Sequence, residues 1–194
     1  MKRILKMYQE LDQHMDQELQ KCKDIACHKG CDACCKKASS IPLVTTEATV
    51  ILAYIKEKAR TAQGQKILQQ MKSYTGMDDQ CPFLVDSECG IYAVRPLACR
   101  TFYIHGEPCT EDEVEDGSRI ADMHLWDRDK MAPIHRPLIE KLYGYKHPQE
   151  QDQAFHDGKI AEKTFPLGGF AWSTLGGGIE RMTVVTDKSD PDSK

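Results

Sequence analysis

Apolar residues that recur at three- and four-residue intervals predict an amphipathic helix over residues 2–21. Most of the positions between them are charged or polar, so one face of this helix is expected to be buried. Cys22 continues the apolar stripe, and we interpret it as a thiol packed in the core. The predicted buried face consists of Ile4, Tyr8, Leu11, Met15, Leu19 and Cys22.

Two further helices are predicted between a short extended segment at 41–44 and Gly76. Thr45 is the expected N-cap of the first helix, and Glu47 lies in its first turn, where a carboxylate interacts favourably with the helix dipole. The second helix is predicted over residues 61–75, with Gly76 as its C-terminal stop.

The pattern in the second half of the chain also indicates helices. Thr110 followed by Glu113 has the form of a capping box and predicts a helix start. Apolar positions in 120–126 predict another helix, and Pro137 is expected to begin a last one. The predicted fold class is therefore mainly α, a small helical domain organised around irregular cysteine-bearing loops.

The chain changes character after residue 147. We therefore predict a domain at 1–147 and a polar, Gly-rich C-terminal extension at 148–194. The glycines of this extension predict a flexible surface segment, and residues 187–194 are expected to be disordered.

Composition limits the classes of function. Of the 194 residues, 40% are hydrophobic and 29% are charged, so a metal centre would supplement a modest core. The net charge of −4 gives no positive field that would attract nucleic acid or an anionic membrane. No apolar run approaches the roughly 18 residues that span a bilayer. Acidic residues also occur too close to the N-terminus to leave room for the apolar segment of a signal peptide. We expect a cytoplasmic protein, with neither nucleic acid nor a membrane as partner.

Nine cysteines are present, and in a reducing cytoplasm such a density is typical of metal binding rather than of a disulfide framework. Four of them fall within nine residues at the spacing C-x3-C-x2-C-C, among polar residues that do not suit core packing. A second group lies beyond residue 80. Thiolates that converge on one point bind zinc, iron or a [4Fe–4S] cluster. The predicted ligands are Cys27, Cys31, Cys34, Cys35, Cys81, Cys89 and Cys99.

The adjacent Cys34 and Cys35 bear on the number of metals. Neighbouring side chains diverge by roughly 100° on a helix and about 180° on a strand, so both cannot easily reach one ion. Seven thiols also exceed the four that close a zinc tetrahedron or a cubane cluster. Either the centre holds more than one metal, with Cys109 or His105 as a candidate eighth ligand, or one of the pair packs or bridges. The alternative interpretation of His105, a single residue on an unassigned loop, is a surface or structural histidine.

Cationic residues flank the thiols. Arg95 and Arg100 lie on either side of Cys99, where they could lower thiol pKa values and donate hydrogen bonds to sulfur, so we predict a supporting role for both. Lys36 and Lys37 follow the first group and are interpreted as solvated surface charges.

Two cysteine signatures occur in order within about residues 25–105. They read Cys27-x3-Cys31-x2-Cys34-Cys35, then Ile41, Val44-Thr45 and Glu47-Ala48, then Cys81-Pro82-Phe83-Leu84, then Cys89-x-Ile91-Tyr92-x2-Arg95-Pro96-x2-Cys99-Arg100. This order resembles the YkgJ-like cysteine-cluster family, the CxxCxxCC zinc- or iron-chelating domain, although the first spacing is x3 rather than x2. The resemblance implies a mostly helical domain whose cysteines ligate a metal. The region is also similar to that of flagellin lysine methylase, which is associated with an iron–sulfur cluster; this chain is much shorter.

Two main functions compete. The first is a metal-binding protein whose zinc or iron–sulfur centre is structural or regulatory. The second is an iron–sulfur-dependent enzyme of redox or methyl-transfer chemistry, with the Gly-rich extension closing over a substrate. Hydrolysis at an open zinc site is less favoured because catalytic zinc usually has His or carboxylate ligands. A thiol–disulfide oxidoreductase using Cys31 and Cys34 ranks last, since no βαβ pattern surrounds the pair.

Overall fold

The structure, a computed structural model, describes residues 2–28, 30–37, 41–76 and 80–188. Helices dominate these ranges, so the predicted mainly α fold class is confirmed. The helices are α1 (Lys2–Leu19), α2 (Ala33–Lys36), α3 (Thr45–Lys58), α4 (Ala62–Ser73), α5 (Leu97–Thr101), α6 (Glu111–Asp116), α7 (Arg128–Tyr143), α8 (Pro148–His156), α9 (Lys159–Glu162) and α10 (Trp172–Lys188).

The first predicted helix is confirmed by α1, whose apolar stripe, including Tyr8 and Leu11, is buried against the rest of the core. The helix ends at Leu19, before the stripe reaches Cys22. Cys22 is only partly buried, and its thiol donates to the Glu18 carbonyl at 3.8 Å. Its predicted place on the buried helix face is therefore wrong, because the chain has already left the helix.

The next two helices, α3 and α4, pack against each other. The predicted helix over 61–75 is confirmed, with the Thr61 hydroxyl accepting the Gly64 N–H at 3.0 Å. Thr45 is not the N-cap of α3, because Val44 occupies that position. The Glu47 carboxylate accepts the Val44 N–H at 3.2 Å and so replaces the hydroxyl cap that the sequence predicted.

The capping box predicted at residue 110 is confirmed at the start of α6. The Glu113 N–H donates to the Thr110 hydroxyl at 3.3 Å, and the Thr110 N–H donates to the Glu113 carboxylate at 2.8 Å. Only residues 118–122 then form a short 3-10 helix, so the predicted helix over 120–126 is wrong. The backbone beyond it turns to pair with the segment around Ile104.

The long helix α7 begins well before Pro137 and contains both that residue and Pro133. Asp127 caps its start by accepting the N–H groups of the second and third helical residues at 3.1 and 3.2 Å. The prediction that Pro137 begins a helix is wrong. Burial of the apolar face of α7 in the core stabilises the helix, although its two prolines lack the backbone N–H groups that would donate hydrogen bonds within it. That face consists of Met131, Leu138, Ile139 and Leu142.

The glycines at 176–178 are in a helix rather than in a flexible surface segment, because they lie inside α10, which packs against α4. A Cβ at Gly176 would lie 3.0 Å from Met71 Cβ, so glycine allows the two helices to approach closely. Trp172, at the start of α10, is buried edge-on against Phe83, with ring centroids 4.9 Å apart. This part of the extension therefore contributes to the same core as the preceding helices.

Asp187 and Lys188 belong to α10, and residues 189–194 of the predicted disordered tail lie outside the described residues. The domain division at residue 147 stays a prediction.

The described residues form two short antiparallel ladders, the first between distant segments and the second within a local hairpin. β1 (Pro42–Leu43) pairs with β4 (Phe165–Pro166), and β2 (Leu84–Val85) pairs with β3 (Glu88–Cys89). All the strand pairs in the described ranges are antiparallel, so the βαβ setting of a redox dithiol is absent from them.

Candidate metal centre

The second cysteine group is held by the β2–β3 hairpin and by α5. Cys81 precedes β2, and Cys89 on β3 pairs with Leu84, which brings these two cysteines to one end of the hairpin. Cys99 lies on α5, whose first N–H, from Leu97, donates to the Glu47 carboxylate at 2.7 Å. Glu47 thereby fixes the helix that presents Cys99.

Helix α2 presents Cys34 and Cys35 to this group. The Cys81 N–H donates to the Cys35 carbonyl at 2.7 Å, which joins the two halves of the predicted site. The thiol of Cys35 interacts electrostatically with Cys34, Cys81 and Cys89, and that of Cys99 with Cys81, Cys34 and Cys89. The structure thus brings five predicted ligands, from three chain segments, into one neighbourhood.

Cys27 and Cys31 lie in the segment that leads into α2. The Ala26 N–H donates to the Ile104 carbonyl at 2.8 Å, and the Ile104 N–H donates to the Cys27 sulfur at 3.4 Å. The Cys27 thiol interacts electrostatically with Cys31, Cys34 and Cys109. Cys109 was only a candidate eighth ligand in the sequence, and the structure places it with the first cysteine group.

Burial controls the protonation of these thiols. It raises the pKa of Cys27 to about 11 and of Cys81 to about 12, and it raises that of Cys99 well above the ordinary range. The hydrogen bond from the Cys35 thiol lowers the pKa of Cys34 to about 7. Donating that bond raises the pKa of Cys35. A bound cation would therefore have to displace protons from most of these thiols.

The thiols are close together but do not form a closed ligand shell. Within residues 2–28, 30–37, 41–76 and 80–188, no three His, Cys, Asp or Glu side chains stand in an arrangement that could hold a metal ion. All nine cysteines lie in these ranges, and none forms a disulfide. The donor set fits zinc or iron in its chemistry, since sulfur ligands favour both, and closure requires side-chain movement.

Arg95 and Arg100 direct their hydrogen bonds away from sulfur. The buried Arg100 donates to the Arg95 carbonyl at 2.9 Å and the Ala93 carbonyl at 2.7 Å, and it pairs with Asp12 of α1. Arg95 lies 3.4 Å from the other oxygen of Asp12. Both positive charges nevertheless act on Cys89, where they oppose the rise in its pKa caused by burial.

Lys36 is more than a solvated charge. Its ammonium lies 3.3 Å from the Asp32 carboxylate and 3.2 Å from that of Glu111. The ion pair with Glu111 connects α2 to the start of α6, two residues after Cys109, and the two helices are in contact.

His105 contacts two polar side chains that no sequence motif indicated. Its Nδ1 lies 2.9 Å from an Asp24 carboxylate oxygen, and its Nε2 lies 3.0 Å from Nδ1 of His124. This hydrogen bond to His105 lowers the pKa of Asp24. Both ring nitrogens of His105 are therefore engaged by other side chains, and whether His105 or Cys109 completes the ligand set stays a prediction.

His124 also lines a cavity of about 620 Å³ between α7, α8 and the segment that precedes α7. Trp126 forms part of the wall, and its indole N–H donates to the Thr101 carbonyl at 2.7 Å. Thr101 lies two residues after Cys99, so the cavity is next to the helix that carries one of the thiols. The sequence carried no motif that would have revealed this cavity.

Comparison with known protein families gives one match. The model of the CxxCxxCC family, described as "Putative zinc- or iron-chelating domain", matches residues 26–122, which include all the thiols discussed above except Cys22. No curated protein matches the chain, and no solved structure does. None of the helices in the described ranges has both the length and the apolar composition needed to cross a membrane.

Proposed function

Since the chain belongs to the CxxCxxCC family of zinc- or iron-chelating domains, we propose that its clustered thiols hold a zinc ion or an iron–sulfur centre. The observation that carries this proposal is the gathering of Cys34, Cys35, Cys81 and Cys89, with Cys99, from three segments. Thiolates in this number exclude hard cations such as Mg²⁺, which prefer oxygen ligands.

The centre is proposed to stabilise the fold. Few backbone hydrogen bonds of the described residues join helix α2, the β2–β3 hairpin and α5 to one another, apart from that between the Cys81 N–H and the Cys35 carbonyl. A metal ligated by thiols of all three would cross-link them, and its binding free energy would add to the free energy of folding. Arg95 and Arg100 would offset the negative charge of the thiolates near Cys89.

We expect this chemistry in the cytoplasm, because nine unpaired thiols require a reducing compartment. The acidic net charge of −4 supports the expectation that nucleic acid is not a partner.

Metal analysis of protein purified without oxygen tests the proposal. A brown protein containing iron and acid-labile sulfide would identify the cluster, whereas a colourless protein with stoichiometric zinc would identify the zinc site. Cys99→Ser should reduce the metal content, and Cys22→Ser is the matched control because Cys22 lies outside the gathered thiols. Protein without zinc or iron, or equal metal content in both variants, would reject the proposal.

The alternative function is an iron–sulfur-dependent enzyme of redox or methyl-transfer chemistry. The observation that favours it is the cavity of about 620 Å³ beside α5, whose volume is within the range of about 300–1,000 Å³ typical of small-molecule sites. Reduction with dithionite should then bleach the visible spectrum reversibly. Titration with S-adenosylmethionine, followed by calorimetry, should give a saturable signal if the reaction is methyl transfer. A colourless protein that binds no S-adenosylmethionine would reject this alternative.

A further inference from the structure

The cavity between α7, α8 and the segment that precedes α7 has a wall rich in aromatic rings. His124 and Trp126 come from that segment, His135 from α7 and Phe155 from α8, and methionine, leucine and isoleucine side chains complete the apolar part of the wall. The volume of about 620 Å³ accommodates a small molecule. Because aromatic rings attract one another in stacked and edge-to-face arrangements, rings on three elements suit a planar ligand.

Two apolar side chains of this wall are exposed to solvent. Leu125 is 80% exposed and Phe155 is 50% exposed, and they belong to different elements that line the same cavity. Apolar surface in contact with water is unfavourable, and it marks ligand-binding grooves when it is concentrated in one place. A molecule seated between α8 and the segment that precedes α7 would cover part of both side chains.

The arginine and the aspartate of the wall are paired with each other. The Arg136 guanidinium lies 3.2 Å from an Asp152 carboxylate oxygen, and it also donates to the Pro148 carbonyl at 3.0 Å. A charged ligand would lose hydration on entering the cavity and would have to compete for a counter-ion that is already engaged. The cavity therefore favours a ligand without net charge.

A chain of three side chains determines what His124 can offer to a ligand. The Asp24 carboxylate only accepts hydrogen bonds, so Nδ1 of His105, 2.9 Å away, must be the donor. In a neutral imidazole the other nitrogen then accepts, so Nδ1 of His124, 3.0 Å from Nε2 of His105, must donate to it. This leaves Nε2 of neutral His124 as an acceptor, and no hydrogen bond to it comes from the described residues.

We propose that this cavity binds a planar aromatic molecule without net charge, whose N–H or O–H group donates a hydrogen bond to Nε2 of His124. Trp126 and Phe155 supply the rings against which it packs. This binding does not depend on the proposed metal centre. It gives a ligand class to the cavity that favours the alternative function.

Calorimetric titration of the full-length chain with indole and 1-methylindole tests this site. Both probes are planar and uncharged, but only indole has an N–H donor. At about pH 8, where histidine side chains are neutral, indole should bind saturably at one site per chain. It should bind about fivefold more tightly than 1-methylindole, which is the effect of one hydrogen bond between neutral groups.

Variants assign the binding to the cavity. His124→Phe keeps a ring and removes the acceptor, so it should bind the two probes equally. Phe155→Ala should weaken both probes about fivefold. Phe165→Ala is the matched control, because Phe165 is an exposed ring on β4 outside the cavity wall, and it should leave both affinities unchanged. Indole-3-acetate, which carries a negative charge, should bind more weakly than indole.

Several results would overturn the proposed ligand site. These are no saturable binding of indole, equal affinities of the wild type for indole and 1-methylindole, and an undiminished difference between the two probes in His124→Phe. Tighter binding of indole-3-acetate than of indole would overturn the assignment of an uncharged ligand. The comparison of two probes on the wild type decides the matter even where a variant does not fold. None of these results changes the zinc or iron content, which decides the metal-binding proposal separately.

Discussion

Replacing the buried Glu47 with alanine should destabilise the protein more than replacing an exposed residue of α3 with alanine. Its buried carboxylate accepts three hydrogen bonds, from the Tyr8 hydroxyl at 3.1 Å, the Leu97 N–H at 2.7 Å and the Val44 N–H at 3.2 Å. These donors come from α1, from the start of α5 and from the start of α3. One side chain thus joins three elements around the thiols.

The magnitude follows from the three donors that alanine leaves unpaired. A buried donor without a partner costs about 1–3 kcal/mol, so the sum at the lower end is about 3 kcal/mol. The lower end applies because burial raises the pKa of Glu47, which shows that burying its charge already costs stability. With a urea m-value of about 2 kcal/mol per molar, the midpoint should fall by about 1.5 M.

Urea unfolding followed by far-UV circular dichroism measures this change. Glu57→Ala is the matched control, because Glu57 is an exposed carboxylate on the same helix, and it should shift stability by no more than about 0.5 kcal/mol. Equal midpoints for Glu47→Ala and Glu57→Ala would refute the interpretation that Glu47 joins these elements.

The pH dependence of the free energy of unfolding gives a second test of the role of Glu47. Because the folded-state pKa of Glu47 is raised, folding is favoured below the pKa of the unfolded carboxyl group, and this contribution is lost as pH rises through the folded pKa. Glu47→Gln removes the titration. The stability of the wild type relative to Glu47→Gln should therefore decrease from pH 4 to pH 7, and an increase would contradict the assigned shift.

Two further predictions use the same unfolding assay. Gly178→Ala should stabilise α10 by about 0.5–1 kcal/mol, since nothing lies within 4 Å of the added Cβ, whereas Gly176→Ala should gain less or destabilise because Met71 Cβ lies 3.0 Å away. Equal effects of the two glycine substitutions would show that α4 and α10 do not pack this closely. Arg100→Met should cost at least about 2 kcal/mol, because the Arg95 and Ala93 carbonyls each lose a buried donor, at about 1–3 kcal/mol apiece. An unchanged midpoint would contradict this role for the buried arginine.

The sequence correctly predicted features that depend on residues close together in the chain. The apolar stripe of α1 and the Thr110–Glu113 capping box depend on residues a few positions apart, and both are present. The metal-ligand set was also predicted from spacing, because two cysteine-dense segments are rarely accounted for by core packing, and it stays a prediction. Cys109 remained uncertain at that point, since it lies outside both dense groups.

Features that depend on long-range contacts could not be predicted in this way. From the sequence alone, Glu47 could equally be a first-turn carboxylate of an exposed helix. Only its hydrogen bonds from Tyr8 and Leu97 reveal that it joins α3 to α1 and α5. The glycines of α10 have low helix propensity, and packing against α4 overrides it. His105 is a lone histidine in the sequence, because Asp24 and His124 meet it only in the folded chain.

X-ray absorption at the metal edge is the most direct test of the central claim that thiols hold the metal. The protein is purified without oxygen and measured with the metal it carries. The account predicts a first coordination shell of four sulfur atoms, at about 2.3 Å for zinc. A first shell made mainly of nitrogen or oxygen atoms, at about 2.0–2.1 Å, would contradict it.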